Sequence, residues 1–265
     1  MKIAIIGCGA MGEAILKGWL NEAVPATDLL IVQRSSERTN YLREQYPVEV
    51  VDSIELAREA DVVLVGVKPQ DVKSVLNVLG QVIKPEALVI SLAVGVTTKF
   101  IQEQLATNNP VVRAMPNTPA FVMRGTTGLA AAPSCNEKDL VLAKELLSAV
   151  GTCVVVAEEL IDVVAAASGS GPAYFFWLVE NLTKSAIELG LSAETAELIV
   201  RETFIGSAAL LDHSSDSAAE LRAKVTSPKG TTQAAIETLE QKQVAQHYTQ
   251  ALKAAITRAQ QLHEG

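Results

Sequence analysis

Gly7, Gly9 and Gly12 stand at G-x-G-x-x-G spacing in the first residues of the chain. An apolar run over residues 3–6 precedes them, and residues 13–20 after them read as a helix. Each glycine has a mechanical use: a tight turn, close approach of backbone to a pyrophosphate, and close packing of helix on strand. The amides at the helix start, with the helix dipole, would hold the diphosphate. A plain strand–helix turn has the same spacing. The strand before and the helix after are the context that points to a dinucleotide site.

The strand after the fingerprint selects the nucleotide. A site that reads a ribose 2′-hydroxyl places Asp or Glu at the end of the second strand. This chain has Gln33, Arg34 and Ser35 there. Arg34 offers a fork of donors to a 2′-phosphate and Ser35 a hydroxyl, so the expected cofactor is NADPH, with NADH as the weaker alternative. A solvated loop arginine is the bland reading. Val67, Lys68 and Pro69 end the fourth strand, on the sheet edge where open α/β folds bind ligands, and their backbone is expected to line the ribose–nicotinamide cleft. The small residues of 91–95 end the fifth strand at the same edge and would let the nicotinamide approach. Met115, Asn117 and Thr118 lie in the rigid turn R-A-M-P-N-T-P of residues 113–119 and could border the nicotinamide; an ordinary loop is the alternative. S-G-S-G-P-A-Y over 168–174 reads as a tight helix start, with Pro172 in its first turn. S-P-K-G-T-T over 227–232 precedes a long helix. Exposed amides there suit a substrate carboxylate, although Thr231 or Thr232 could simply cap the helix.

The elements that carry these residues alternate through the first half. Strands are expected at 28–33, 48–51, 61–67 and 88–94, and helices at 37–44, 53–59, 72–82 and 98–105. The near-continuous apolar run D-V-V-L-V-G-V of 61–67 marks a strand buried on both faces. The succession predicts a doubly wound parallel sheet. Further strands at 111–115, 126–131 and 153–156, with a helix at 136–150, would extend it with mixed direction. Beyond residue 158 only helical periods remain: 174–189, 193–211, 218–225, and one long amphipathic stripe over 232–262 through Ile236, Leu239, Val244, Tyr248, Leu252, Ile256 and Ala259. The boundary is therefore placed between a nucleotide domain, 1–157, and an all-helical domain, 158–265. A helical domain of this size is expected to cover its apolar faces with a second copy.

The formal net charge is −8 with no basic block, which argues against nucleic acid as a partner. No apolar segment is long enough to span a bilayer, and the N-terminal run breaks at Gly7, unlike a signal peptide. Cys8, Cys135 and Cys153 are odd in number and widely spaced, which fits a reducing, cytoplasmic location and no disulfide framework. His213, His247 and His263 have no metal-ligand spacing and read as surface residues, so no metal site is expected.

Taken in order, I-I-G-C-G-A-M-G (5–12), V-K-P (67–69), R-A-M-P-N-T-P (113–119), S-G-S-G-P-A-Y (168–174) and V-T-S-P-K-G-T-T (225–232) closely resemble the pyrroline-5-carboxylate reductases over essentially the whole length. The last three motifs are specific; the glycine fingerprint is shared widely. The resemblance implies an N-terminal Rossmann domain, a C-terminal helical domain that interlocks with a dimer mate, and assembly of dimers into rings, commonly decamers. It implies NADPH-dependent reduction of a small cyclic imine carboxylate, 1-pyrroline-5-carboxylate, to L-proline, the last step of proline synthesis. By analogy Ser227, Gly230, Thr231 and Thr232 hold the carboxylate and ring, Thr232 is the hydroxyl at the ring nitrogen, and Glu158 is an acidic residue near the substrate. Gly7, Gly9, Ala10, Met11, Gly12, Arg34, Ser35, Val67, Lys68, Pro69, Ala93 and Asn117 match or adjoin cofactor positions.

Two departures stand out. Lys229 replaces a glycine common in the family, and residues 240–244 lack the glycine that breaks the last helix elsewhere, which puts that break in doubt. Other readings are a reductase of a related cyclic imine, a non-catalytic NADP-binding paralogue, and a β-hydroxyacid dehydrogenase. The last needs a lysine early in the first long helix of the second domain, where this chain has none before Lys184.

Overall fold

The structure, a computed structural model, describes residues 1–263, with side chains through Gln261; the reading of His263 as a surface residue falls outside the described side chains. Strands β1 (Ile3–Ile6), β2 (Leu29–Val32), β3 (Glu49–Val51), β4 (Val62–Val65), β5 (Leu88–Ser91), β6 (Val111–Met115), β7 (Gly125–Ala131) and β8 (Gly151–Val155) form one sheet in the order β3-β2-β1-β4-β5-β6-β7-β8. The first six are parallel; β7 runs antiparallel to β6, and β8 is parallel to β7. The expected mixed extension is thus present.

The interleaved helices are α1 (Ala10–Asn21), α2 (Ser36–Gln45), α3 (Pro69–Leu79), α4 (Thr98–Leu105) and α5 (Glu137–Ser148). The apolar strands need two covers because successive side chains point to opposite faces. Ile3 and Ile5 pack in one core with Leu16 and Trp19 of α1, Leu42 of α2 and Leu147 of α5. Ala4 and Ile6 pack in the other with Leu76 and Leu79 of α3 and Ile101 of α4. Trp19 is fully buried, and its indole N–H is satisfied by the Leu146 carbonyl at 2.7 Å. Fully burying each such side chain contributes about 1.5–3 kcal/mol. The order reverses direction between β1 and β4, and the glycine turn sits at that switch point, just past the end of β1.

The chain divides into two compact units: Met1–Ser170 together with the end of the last helix from Ala255, and Gly171–Ala254. Short α6 (Ile161–Val164) runs into a π-helical turn, Ala165–Gly169, before α7 (Gly171–Glu188). Then follow α8 (Ala193–His213), α9 (Ala218–Lys224), α10 (Thr231–Gln241) and α11 (Val244–His263). The single helix expected over 232–262 is therefore corrected to two. Gln243 takes a left-handed φ of +57°, and the Lys242 and Gln243 amides bond back to Thr238 and Glu240. A break here does not require glycine: the turn closes its own hydrogen bonds and accepts the modest cost of a left-handed residue.

The second unit exposes large apolar side chains. Phe176 is 70 % exposed, Trp177 58 % and Leu189 88 %. Tyr174, Trp177, Val244 and Tyr248 line a largely apolar cavity of about 310 Å³ within it. Among the described residues no helix is long and apolar enough to cross a membrane.

Candidate active site

Gly7 has φ +83°, a region costly for any side chain, and a Cβ there would lie 2.4 Å from a Val67 methyl carbon. Gly9 precedes α1, is exposed, and has nothing within 4 Å of where its Cβ would be. No side chain caps α1, so the amides of Ala10, Met11 and Gly12 lie beyond the reach of intrahelical pairing. Gly12 is buried, and a Cβ on it would stand 3.4 Å from the Gly7 carbonyl oxygen. Open space at Gly9 beside the uncapped amides of α1 fits a dinucleotide diphosphate.

Behind the turn lies a polar cluster absent from the sequence reading. The Arg38 guanidinium donates to the Cys8 carbonyl at 2.9 Å and the Gly9 carbonyl at 3.4 Å, and pairs with Glu13. Glu13 also accepts from the hydroxyls of Tyr41 (3.0 Å) and Tyr46 (2.8 Å). Burial works against ionising Glu13, but the bonds from Arg38, Tyr46 and Tyr41 outweigh it and hold its pKa below the usual range. Burial pushes the Cys8 thiol up to about 12, so this cysteine is an inert filler of the turn.

Arg34 is exposed past the end of β2, with its guanidinium 3.6 Å from Asp71 of α3. Ser35 caps α2, accepting from the Arg38 amide at 3.4 Å. Lys68 is exposed and occupies the N-cap of α3, with Pro69 in the first turn; Val67 is half-buried against Gly7. Ala93 is buried past the end of β5, its amide held by the Ser91 hydroxyl at 3.3 Å.

Asn117 and Glu158 are engaged with the protein itself. The Asn117 amide donates to the Ser168 carbonyl (3.2 Å) and hydroxyl (3.1 Å), and its oxygen accepts from the Thr126 amide (2.8 Å). Pro172 has no N–H to return to the carbonyl four residues earlier, that of Ser168, and Asn117 supplies the missing donor. Glu158 accepts from the Thr98 amide at 2.6 Å and the Thr98 hydroxyl at 2.5 Å, at the start of α4. Arg113, 3 % exposed on β6, reaches Asp162 at 3.1 Å and Glu158 at 3.9 Å. An arginine inside the apolar strand V-V-R-A-M was the available signal for this network, since a buried charge needs partners. The partners, sixty residues away in the case of Thr98 and Glu158, had none.

In the second unit the 227–232 segment forms a tight turn into α10. The Gly230 amide donates to the Ser227 carbonyl at 3.0 Å, and a Cβ on Gly230 would lie 2.4 Å from the Ser227 hydroxyl. Gly230 is the N-cap, so no side chain competes for the first amides of α10, which include those of Thr231 and Thr232. Lys229 has φ +60°. That conformation explains why glycine suits the position. His213 and His247 are exposed and bond to the Ala209 and Gln243 carbonyls of their own chain segments. Lys184, the lysine a hydroxyacid dehydrogenase reading would lean on, is exposed and paired with Glu180 on the surface of α7.

A doubly wound sheet with an uncapped glycine turn at its switch point, joined to a helical unit, defines a nicotinamide-dependent oxidoreductase. Residues 2–95 match the family described as NADP oxidoreductase, coenzyme F420-dependent, and residues 158–262 match pyrroline-5-carboxylate reductase dimerisation. The chain is 39 % identical over 265 residues to the pyrroline-5-carboxylate reductase of Pseudomonas aeruginosa, covering 99 % of this chain and 97 % of that one. Its Mycobacterium leprae counterpart is 38 % identical, at 98 % and 96 % coverage. Among solved structures, a Coxiella burnetii pyrroline-5-carboxylate reductase superposes with a TM-score of 0.93 at 38 % identity, covering 98 % of each chain. The Plasmodium falciparum pyrroline carboxylate reductase with NADP bound gives 0.85 at 26 % identity, covering 99 % and 98 %. The chain belongs to the pyrroline-5-carboxylate reductase family.

Proposed function

We propose that this chain reduces the C=N bond of 1-pyrroline-5-carboxylate with NADPH to give L-proline. The observation that carries the reading is the turn at Ser227–Thr232, whose uncapped amides suit a small carboxylate, in a chain that also keeps an open glycine turn. When bound, NADPH would supply the hydride that the imine carbon accepts. Residues of the glycine turn hold the diphosphate, and Arg34 with Ser35 takes the 2′-phosphate once Arg34 leaves Asp71. The Thr231 and Thr232 amides fix the carboxylate, and the Thr232 hydroxyl orients the ring nitrogen. A protonated imine is already a good electrophile, so positioning suffices and a strong general acid is unnecessary. Glu158 holds the start of α4 and Asn117 holds the π-helical turn, and the functional boundary falls at residue 158.

The exposed aromatic and aliphatic side chains of α7 and α8 support a homodimer through this region; assembly of dimers into a ring of ten is the finer expectation, which light scattering separates from a dimer. The test of function is NADPH oxidation on adding pyrroline-5-carboxylate, with the six-membered cyclic imine as comparison. No oxidation with either ring favours the non-catalytic alternative, and faster turnover of the larger ring reassigns the substrate.

A further inference from the structure

Arg38 sits behind the glycine turn and faces its carbonyls. Nε donates to the Cys8 carbonyl at 2.9 Å, and Nη2 donates to the Gly9 carbonyl at 3.4 Å. The guanidinium is held in place by Glu13, which the Tyr41 and Tyr46 hydroxyls steady in turn, and it lies 4.9 Å from the centre of the Tyr41 ring. In a planar trans peptide the C=O and N–H point in opposite directions. Fixing the Gly9 carbonyl towards Arg38 therefore aims the Ala10 N–H away from it, and that is the first unpaired donor of α1. Fixing the Cys8 carbonyl likewise sets the next amide, which closes the turn onto the Gly7 carbonyl at 3.0 Å. From the other side the Gln33 side chain accepts the Cys8 N–H at 3.2 Å. The Gly9 carbonyl is also held by the Glu13 amide at 2.9 Å, the first bond of α1, whereas the Cys8 carbonyl has Arg38 as its anchor. Without Arg38 the Cys8 carbonyl could rotate towards the ligand, where its partial negative charge would repel a diphosphate.

We propose that Arg38 is a positioning residue for cofactor binding: it holds the Cys8 carbonyl off the diphosphate and, together with the Glu13 amide, keeps the Gly9 carbonyl turned so that the Ala10 N–H is free for it. The inference rests on the glycine turn being the diphosphate site of the function proposed above. It assigns Arg38 a different duty from Arg34. Arg34 would read the 2′-phosphate, found only in NADPH, whereas Arg38 acts on the part that NADPH and NADH share.

The two duties separate in binding measurements that need no turnover. Dissociation constants for NADPH and NADH are measured by fluorescence titration of the full chain and of Arg38→Met, Arg38→Lys and Arg34→Met. Loss of charged hydrogen bonds of this kind corresponds to roughly tenfold. Arg38→Met is expected to weaken both nucleotides by about that factor and leave their ratio within about twofold of the original. Arg38→Lys recovers part of the loss, and Arg34→Met weakens NADPH alone. A loss confined to NADPH in Arg38→Met, or no loss, overturns the proposal. If Arg38→Met does not fold, Glu13→Gln loosens the same guanidinium and is expected to weaken both nucleotides equally; unequal or absent loss there overturns it too. A native chain that binds neither nucleotide strikes the reading of the glycine turn itself. Native binding with insensitivity to these changes strikes only the role of Arg38.

Discussion

Glu158 caps helix α4 across sixty residues of sequence: its carboxylate accepts the Thr98 amide at 2.6 Å and the Thr98 hydroxyl at 2.5 Å. A carboxylate at a helix N-terminus is favoured by the helix dipole, and this one also helps balance buried Arg113. Glu158→Ala removes both effects and is expected to destabilise the fold by about 2 kcal/mol, with Glu158→Gln costing less because it keeps an acceptor. Denaturant unfolding measures the difference. Unchanged stability together with a raised KM for the imine would instead make Glu158 a direct substrate contact.

Lys229 occupies a left-handed conformation at φ +60° in the turn before α10. That geometry costs an ordinary residue about 1–2 kcal/mol, while glycine gives back part of the gain through its freer unfolded chain. Lys229→Gly is expected to stabilise the protein by about 0.5–1 kcal/mol, read as a higher Tm. A lower Tm would mean that the lysine side chain contributes more than its backbone costs.

Thr232 lies in the first turn of α10 behind the uncapped Gly230. If its hydroxyl bond to the ring nitrogen strengthens in the transition state, Thr232→Ala lowers kcat by about tenfold or more. The KM for NADPH is expected to stay the same. Steady-state kinetics with each substrate varied in turn decides this, and unchanged kcat removes Thr232 from the mechanism.

Glu13 gives the fold an acid-sensitive element. Its folded pKa is held below the ordinary glutamate value of about 4.3 by Arg38, Tyr46 and Tyr41 against the opposing effect of burial. A depressed carboxylate stabilises the fold above its unfolded pKa, and the contribution is lost as pH falls through the folded value. Unfolding free energy measured against pH should therefore drop less steeply below about pH 4.3 in Glu13→Gln than in the native chain. Parallel curves would show that Glu13 does not couple to folding.

Much of this was legible from sequence because it is written in local periods. The run of 61–67 announced a strand with both faces covered, and β4 has both; residues 3–6 and the glycines announced β1 and the turn into α1. What escaped depends on groups distant in sequence. Arg38 and Glu13 lie on two different helices, and only the fold brings them together behind the turn. The protein partners of Asn117 and Glu158, which are Ser168 and Thr126 for the one and Thr98 for the other, are likewise set by the fold and carry no local signal. The break at Gln243 escaped for another reason: the apolar stripe continues past it, so periodicity alone joins α10 to α11. The π-helical turn before α7 was hidden as well, although Pro172 leaves one carbonyl in need of a donor and marks its place.

The central claim is tested most directly by following the hydride. The protein is incubated with pyrroline-5-carboxylate and NADPH carrying deuterium at the transferable position of the nicotinamide, and the proline formed is analysed by mass spectrometry and NMR. The account predicts a single deuterium per proline, on the ring carbon that was doubly bonded to nitrogen. Absence of proline, or proline without deuterium at that carbon, would contradict it.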